Sequence, residues 1–173
     1  RRSSDLLWSE LVLEGVIPQQ GIDRVANIKI KVEVDTEPPL GFDTEERLLL
    51  RPFSFYVKCF QLPDLFAGKM HALLFRQWKN RVKGRDWFDF EWYMRKRIPL
   101  NLPHFNERAM QSHSIEKPLS ENEFKQLLTD KIKNTDLENA KQDVERFLTD
   151  KSVLDIWSPD YFCQLAEKIQ ITG

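Results

Sequence analysis

The sequence predicts an α+β protein, and three observations support this fold class. Residues 28–35, "IKIKVEVD", alternate strictly between apolar and charged side chains, as in a strand with one buried face. From Pro63 onward the apolar residues recur with helical spacing instead. The strand-like segments precede the helical ones and do not alternate with them, which favours segregated α+β structure over repeated βαβ units.

The first third of the chain contains the predicted strands. The two prolines and the glycine of "TEPPLGFD", residues 36–43, end the alternating strand because they cannot continue a ladder. Residues 46–53 and 54–60 predict two further short strands, interrupted by Pro52. The opening segment "LLWSELVLEGV" fits a strand or a helix, and its periodicity leaves that choice open.

The rest of the chain predicts helices. They are expected near 63–78, 86–96, 120–133, 136–149 and 158–170, with "IPLNLPHFN", residues 98–106, as a connection. Ser120 with Glu123 predicts a capping box, and Ser158 followed by Pro159 is typical of a helix start. We therefore expect a β-rich part over residues 1–62 and a helical domain over residues 63–173.

Composition excludes several classes of protein. The 173 residues are 41% hydrophobic and 31% charged with a net charge of −1, which predicts no strong attraction of the whole chain to polyanions or membranes. No run approaches the roughly 18 apolar residues of a membrane span. Two cysteines without a CxxC pair and three scattered histidines argue against zinc and favour a reduced, cytoplasmic setting.

Lys69 and Arg76 raise the first functional question. At about 100° per residue, both fall within the apolar arc of the helix predicted over residues 63–78, while His71 faces the opposite side. Lys69 could extend its ammonium from the edge of the core, pair with a buried carboxylate, or line a cleft that holds an anion.

The segment "KGRDWFDFEWYMRKR" offers partners for such a lysine. Asp86 and Asp89 are three residues apart and share one helical face. Capping is the structural interpretation, with Asp86 as the N-cap and Asp89 as the acidic third position of a capping box. Five cations between residues 76 and 85 suit a solvated loop or a phosphate-rich partner: Arg76, Lys79, Arg81, Lys83 and Arg85.

Two further carboxylates lie on the predicted strand. Glu33 and Asp35 share its polar face, where solvated side chains are the usual finding. A carboxylate on a central strand is also how metal-dependent phosphoryl transfer holds magnesium, normally together with other carboxylates.

In this order, the strand, the lysine helix and the aspartate helix resemble the AbiEii family of nucleotidyltransferase toxins. Its third motif, K-x-x-A-L-x-x-R, is matched by Lys69, Ala72, Leu73 and Arg76. Its fourth motif, R-D-x-x-D, is matched by Arg85, Asp86 and Asp89. The resemblance covers roughly residues 27–96, and the helical tail is compatible with it.

The resemblance implies a polymerase-β-like nucleotidyltransferase sheet followed by a helical C-terminal domain. It also implies a toxin of a toxin–antitoxin or phage-defence system that uses a nucleoside triphosphate and Mg²⁺, has tRNA as acceptor and has a cognate antitoxin. The residues it assigns fall into three overlapping sets. They are Lys69, Asp86 and Asp89 for catalysis, Lys69, Arg76 and Arg85 for the nucleotide, and Glu33 with Asp35 as the alternate for the metal.

One departure from the family pattern lies near the N-terminus. The family begins with G-S-x-x-x-D-x-D, and nothing in residues 1–26 matches it. Since the chain also lacks an initiating Met, we expect the N-terminal catalytic half to be absent and this chain alone to be inactive. Label from a nucleoside triphosphate appearing in bulk tRNA in the presence of Mg²⁺ would contradict that expectation.

Two other classes of function remain open at this level. The basic loop and the face bearing Lys69 and Arg76 could bind RNA or a protein without chemistry. Alternatively, Lys69 could form an internal ion pair with Asp86 or Asp89 that only joins two helices.

Overall fold

A computed structural model describes residues 5–12, 27–35, 37–76 and 82–173, with the backbone alone for 5–12 and 27–34. Contacts within the chain divide it into two compact units, residues 1–38 and residues 39–173. The predicted division of the chain into residues 1–62 and 63–173 stays a prediction.

The first unit contains one antiparallel pair of strands, β1 (Asp5–Val12) and β2 (Asn27–Val34). Asp5 lies opposite Val34 and Val12 opposite Asn27. The strand predicted over residues 28–35 is therefore confirmed, and the opening segment is a strand as far as Val12. The predicted burial of the apolar face of β2 concerns side chains outside the described part of the chain.

A β-hairpin opens the second unit. Strands β3 (Thr44–Leu49) and β4 (Phe55–Phe60) pair antiparallel, with Pro52 in the turn between them. The two short strands predicted on either side of that proline are confirmed.

The rest of the second unit is helical. Six α-helices are found in the described residues: α1 (Leu62–Phe75), α2 (Gly84–Arg95), α3 (Leu102–Gln111), α4 (Glu121–Lys133), α5 (Leu137–Glu145) and α6 (Pro159–Glu167). A 3₁₀ turn covers Ser152–Leu154. Two short parallel strands, β5 (Leu100–Asn101) and β6 (Ile171–Thr172), bring the end of the chain beside the start of α3.

Helix α3 corrects one prediction. Residues 98–106 were expected to form a connection, yet the helix begins at Leu102. The side chain of Asn101 accepts a hydrogen bond from the His104 N–H at 3.0 Å, and Pro103 occupies the first turn. Asparagine and proline, which suggested a break, act here as the N-cap and as a residue already suited to helix initiation.

The two predicted helix starts are confirmed. The Ser120 side chain accepts from the Glu123 N–H, and Glu123 accepts in return from the Ser120 N–H at 2.8 Å. Ser158 caps α6 by accepting from the Tyr161 N–H at 3.1 Å, with Pro159 as the first helical residue. These local signals work because they satisfy backbone donors within one turn of the chain.

The core of the second unit is rich in aromatic side chains contributed by successive helices. Fully buried phenylalanines come from five of the six helices: Phe66, Phe90, Phe105, Phe124 and Phe162. Helices following small sheets confirm the α+β class, whereas the larger polymerase-β-like sheet stays a prediction. Within the described ranges, no helix is long and apolar enough to cross a membrane.

Candidate functional site

A cleft of about 640 Å³ opens in the second unit, against α1, the first turns of α2 and the end of α5. Its lining combines cationic, acidic and apolar side chains. The cationic and acidic ones are Lys69, Arg76, Lys83, Arg85 and Arg108, with Asp64, Asp86 and Asp89. Five cations around three carboxylates make this a place suited to an anion larger than a single carboxylate.

Helix α1 divides its residues between the core and the cleft. Phe66, Met70 and Leu73 are buried, while Lys69 and Ala72 line the cleft with Arg76, which directly follows the last helical turn. The spacing of three and four residues places these three on one side of the helix. The motif K-x-x-A-L-x-x-R thus supplies two cations to the cleft and one leucine to the core.

This division corrects the helical-wheel prediction for Lys69. The lysine does not lie in the buried stripe, because 48% of its side chain is exposed. Leu65, one turn earlier in α1, is 42% exposed and also lines the cleft. Lys69 therefore lines the cleft at the border of the core, which was one of the three alternatives.

Lys69 pairs with Asp89 across the cleft. Its Nζ donates to Asp89 Oδ2 at 2.7 Å, and 33% of the aspartate side chain is exposed. The expected ion pair between the two helices exists, but it is not the internal pair that sequence alone suggested. A pair this accessible orients the ammonium at little energetic cost and leaves it able to meet a ligand.

Asp86 has a different environment from Asp89. Only 8% of the residue is exposed, and this burial raises the pKa of its carboxyl above the usual value of 3.8. The positive charges of Lys83, Arg76 and Lys69 act in the opposite direction, while Asp89 adds to the increase. Burial and the surrounding cations thus act on the pKa of this carboxyl in opposite directions, with burial the larger influence.

The capping role predicted for Asp86 and Asp89 is wrong. Helix α2 begins at Gly84 with Lys83 as the N-cap residue, so Asp86 is the third residue of the helix and Asp89 lies in its second turn. The boundary was misplaced because a helix beginning at a glycine has no side chain to announce it.

Side chains from α5 satisfy the backbone donors at the start of α2. Asn139 Oδ1 accepts from the Val82 N–H at 2.9 Å, and Asp143 Oδ2 accepts from the Gly84 N–H at 3.0 Å. A Cβ at Gly84 would lie 2.0 Å from the Ala140 carbonyl oxygen, so only glycine permits this approach of the two helices. Since α5 supplies these bonds, both aspartates can face the cleft.

Two further residues of the cleft lining, Asp64 and His104, belong to a buried network of hydrogen bonds. Asp64, 2% exposed, accepts from the Asp43 N–H at 2.9 Å and from Asn101 Nδ2 at 2.6 Å. His104, 1% exposed, donates its Nδ1–H to the Leu40 carbonyl at 2.8 Å. These bonds join the segment before β3 to α1 and α3, and they account for both residues structurally.

Arg108 is a cleft residue that the sequence did not single out. It comes from α3, and a Cβ on Gly68 would meet its guanidinium carbon at 3.7 Å, so the arginine passes close to the glycine face of α1. Its place depends on the helix that was expected to be a connection. In the sequence, the one local sign of this close approach was Gly68, the residue before the cleft-lining Lys69.

The structure describes the predicted metal ligands only in part. Asp35 is exposed and accepts from the Glu37 N–H at 3.2 Å, whereas the side chain of Glu33 lies outside the described residues. In the ranges with described side chains, no three His, Cys, Asp or Glu residues cluster as metal ligands. Asp86 and Asp89, surrounded by cations, do not by themselves fit the oxygen cage that Mg²⁺ requires.

Fold and cleft together define an α+β protein with a cation-lined cleft of about 640 Å³ in its helical part. The sequence model described as "Nucleotidyl transferase AbiEii toxin, Type IV TA system" matches residues 13–167. The chain belongs to this family of nucleotidyltransferase toxins. No curated protein and no solved structure matches it.

Proposed function

We propose that the cleft binds a nucleoside triphosphate and that the protein transfers a nucleotide from it to an RNA acceptor, with tRNA as the expected acceptor. One observation carries the proposal: Lys69, Arg76 and Arg85 line one cleft together with Asp86 and Asp89. The volume of about 640 Å³ lies within the range of small-molecule sites.

Each side chain has a proposed role that follows from its surroundings. Lys69, oriented by Asp89, contacts the triphosphate, and Arg76 and Arg85 add charge-assisted hydrogen bonds to it. Asp86 is the proposed proton acceptor for the attacking hydroxyl, because it lines the cleft and burial raises its pKa above the usual value. Asp89 acts mainly through Lys69.

Other parts of the proposal rest on the family resemblance. Mg²⁺ stays a prediction, with Glu33 or Asp35 as its proposed strand ligand, since the described cleft lacks a full donor set. The cytoplasmic setting and a role in phage defence are likewise proposals. An antitoxin partner follows from the type IV toxin–antitoxin family.

The Lys69→Ala variant tests the phosphate-binding role. We expect the affinity of the chain for a nucleoside triphosphate to fall at least about tenfold, because a charge-assisted hydrogen bond is lost. The free energy of unfolding should change by less than about 1 kcal/mol, because the Lys69–Asp89 pair is accessible to solvent. Calorimetric titration and urea denaturation measure the two quantities.

Lys125→Ala is the matched control. Lys125 forms an ion pair of similar length, 2.6 Å, with Glu121 on α4 and does not line the cleft. This variant should retain full triphosphate affinity. Equal losses in the two variants, or an unchanged affinity in Lys69→Ala, would overturn the assignment.

A further inference from the structure

Phe147 is a cleft residue to which neither motif assigns a role. It follows α5 directly, lines the cleft and is 55% exposed, although its neighbours Val144 and Leu148 are buried or half-buried. A phenylalanine on a surface is ordinary when it stands alone. Here the ring borders a cluster of cations, so its exposure needs a closer explanation.

Two arginines flank the ring. The Cζ of Arg85 lies 5.4 Å from the ring centroid, and that of Arg146 lies 4.8 Å from it. Both are within cation–π range. Both guanidiniums lie over the ring, so a base that stacks on it would displace one of them.

The cleft that Phe147 lines also has apolar walls. Val144, Leu148 and Phe88 line it together with the cations Arg85 and Lys83 from the start of α2. A nucleoside triphosphate has the same division, with a flat apolar base at one end and a polyanion at the other. Apolar walls with a few placed polar groups are the usual composition of such sites.

We propose that Phe147 is the stacking platform for the base of the bound nucleoside triphosphate. Arg85 lies over the ring and is also one of the cations proposed to bind the phosphates, so it would link the two ends of the ligand. Stacking on an aromatic face accepts every base, which predicts affinity for the base without strong selection among the four. This inference rests on the proposed function and adds a binding residue to it.

The test compares three ligands that share a triphosphate: two nucleotides with different bases and one ligand without a base. The unmodified chain is titrated with ATP, with UTP and with inorganic tripolyphosphate, and it should bind both nucleotides more tightly than tripolyphosphate. Phe147→Ala should weaken nucleotide binding about fivefold to a hundredfold and leave tripolyphosphate binding unchanged. Phe147→Trp, which keeps an aromatic face, should retain nucleotide binding.

Phe53→Ala is the matched control, because Phe53 is a 69% exposed phenylalanine that does not line the cleft. It should bind all three ligands as the unmodified chain does. The inference is overturned if Phe147→Ala weakens nucleotide and tripolyphosphate binding equally, or leaves both unchanged. It is also overturned if the unmodified chain does not favour nucleotides over tripolyphosphate. Absence of all binding would refute the proposed function itself, and the inference with it.

Discussion

Helix α2 presents carboxylates to two regions of the molecule that treat them in opposite ways. On one side, Asp86 and Asp89 line the cleft among cations. On the other side, Glu91 is buried and accepts hydrogen bonds from Trp157 Nε1 and from the Tyr161 hydroxyl, both at 2.8 Å. All three carboxylates lie within six residues of one another.

The difference lies in the partners. Each carboxylate oxygen of Glu91 accepts a hydrogen bond from one neutral donor. These two bonds connect α2 to the last helical segment, so the role of Glu91 is structural. Burial, the hydrogen bond to Glu91 and the charge of Glu91 together raise the pKa of Tyr161 to about 12, so this donor keeps its proton. The cleft carboxylates instead lie among charged side chains. Burial alone therefore does not identify a functional acid; the chemistry of its partners does.

The largest expected effect concerns the close contact between Gly84 of α2 and the backbone of α5. Gly84→Ala should lower the free energy of unfolding by about 3 kcal/mol, because the new Cβ would lie 2.0 Å from the Ala140 carbonyl oxygen. Gly68→Ala is the matched change on α1, where the new Cβ meets Arg108 at an ordinary 3.7 Å. That variant should keep or gain up to about 1 kcal/mol from helix propensity. Urea denaturation followed by circular dichroism measures both, and similar losses would contradict the proposed packing.

The next effect concerns the buried side of α2. Glu91→Ala should cost about 1–3 kcal/mol, because the indole N–H of Trp157, itself 2% exposed, loses its acceptor and Tyr161 must turn to water. Glu91→Gln keeps one acceptor oxygen and should cost less. Nucleotide affinity per folded molecule should stay unchanged in both variants, since Glu91 does not line the cleft. A selective loss of nucleotide binding in either variant would contradict the division of α2 into a side that lines the cleft and a side that is structural.

The smallest expected effect is the pH dependence due to Asp86. The folded-state pKa is raised above 3.8, so the folded protein binds this proton more tightly than the unfolded chain does. The contribution of Asp86 to stability is then greatest at pH values below 3.8 and is lost as pH rises through the folded pKa. Asp86→Asn should become progressively more stable relative to the unmodified chain over that rise.

Glu123 provides a control of opposite sign. Hydrogen bonds from the Ser120 backbone and side chain lower its pKa below 4.5, so its contribution is present above that value and lost as pH falls. Glu123→Gln should therefore lose stability relative to the unmodified chain as pH rises from acid. Denaturation curves from pH 3 to 7 compare the two variants, and slopes of the same sign would contradict the burial argument for Asp86.

Much of the local structure could be predicted because it depends on neighbouring residues. The caps at Ser120 and Ser158 satisfy hydrogen bonds within a few residues, and the alternation in β2 and the hairpin around Pro52 are visible as local sequence patterns. The motifs with Lys69 and Asp86 likewise support the resemblance to the family that the sequence model confirms. Helix α3 was missed, since Asn101 and Pro103 are equally typical of a loop and of a helix start.

By itself, the sequence determined the α+β class, most helices, and the five charged residues that line the cleft in its two motifs. Only the tertiary structure decided which of these residues are buried, which aspartate pairs with Lys69, and that α5 rather than Asp86 caps α2. It also brought Arg108 and Phe147 into the cleft. The physical reason is range: capping and periodicity act within one or two turns, whereas desolvation and ion pairing depend on side chains 20 to 66 residues away.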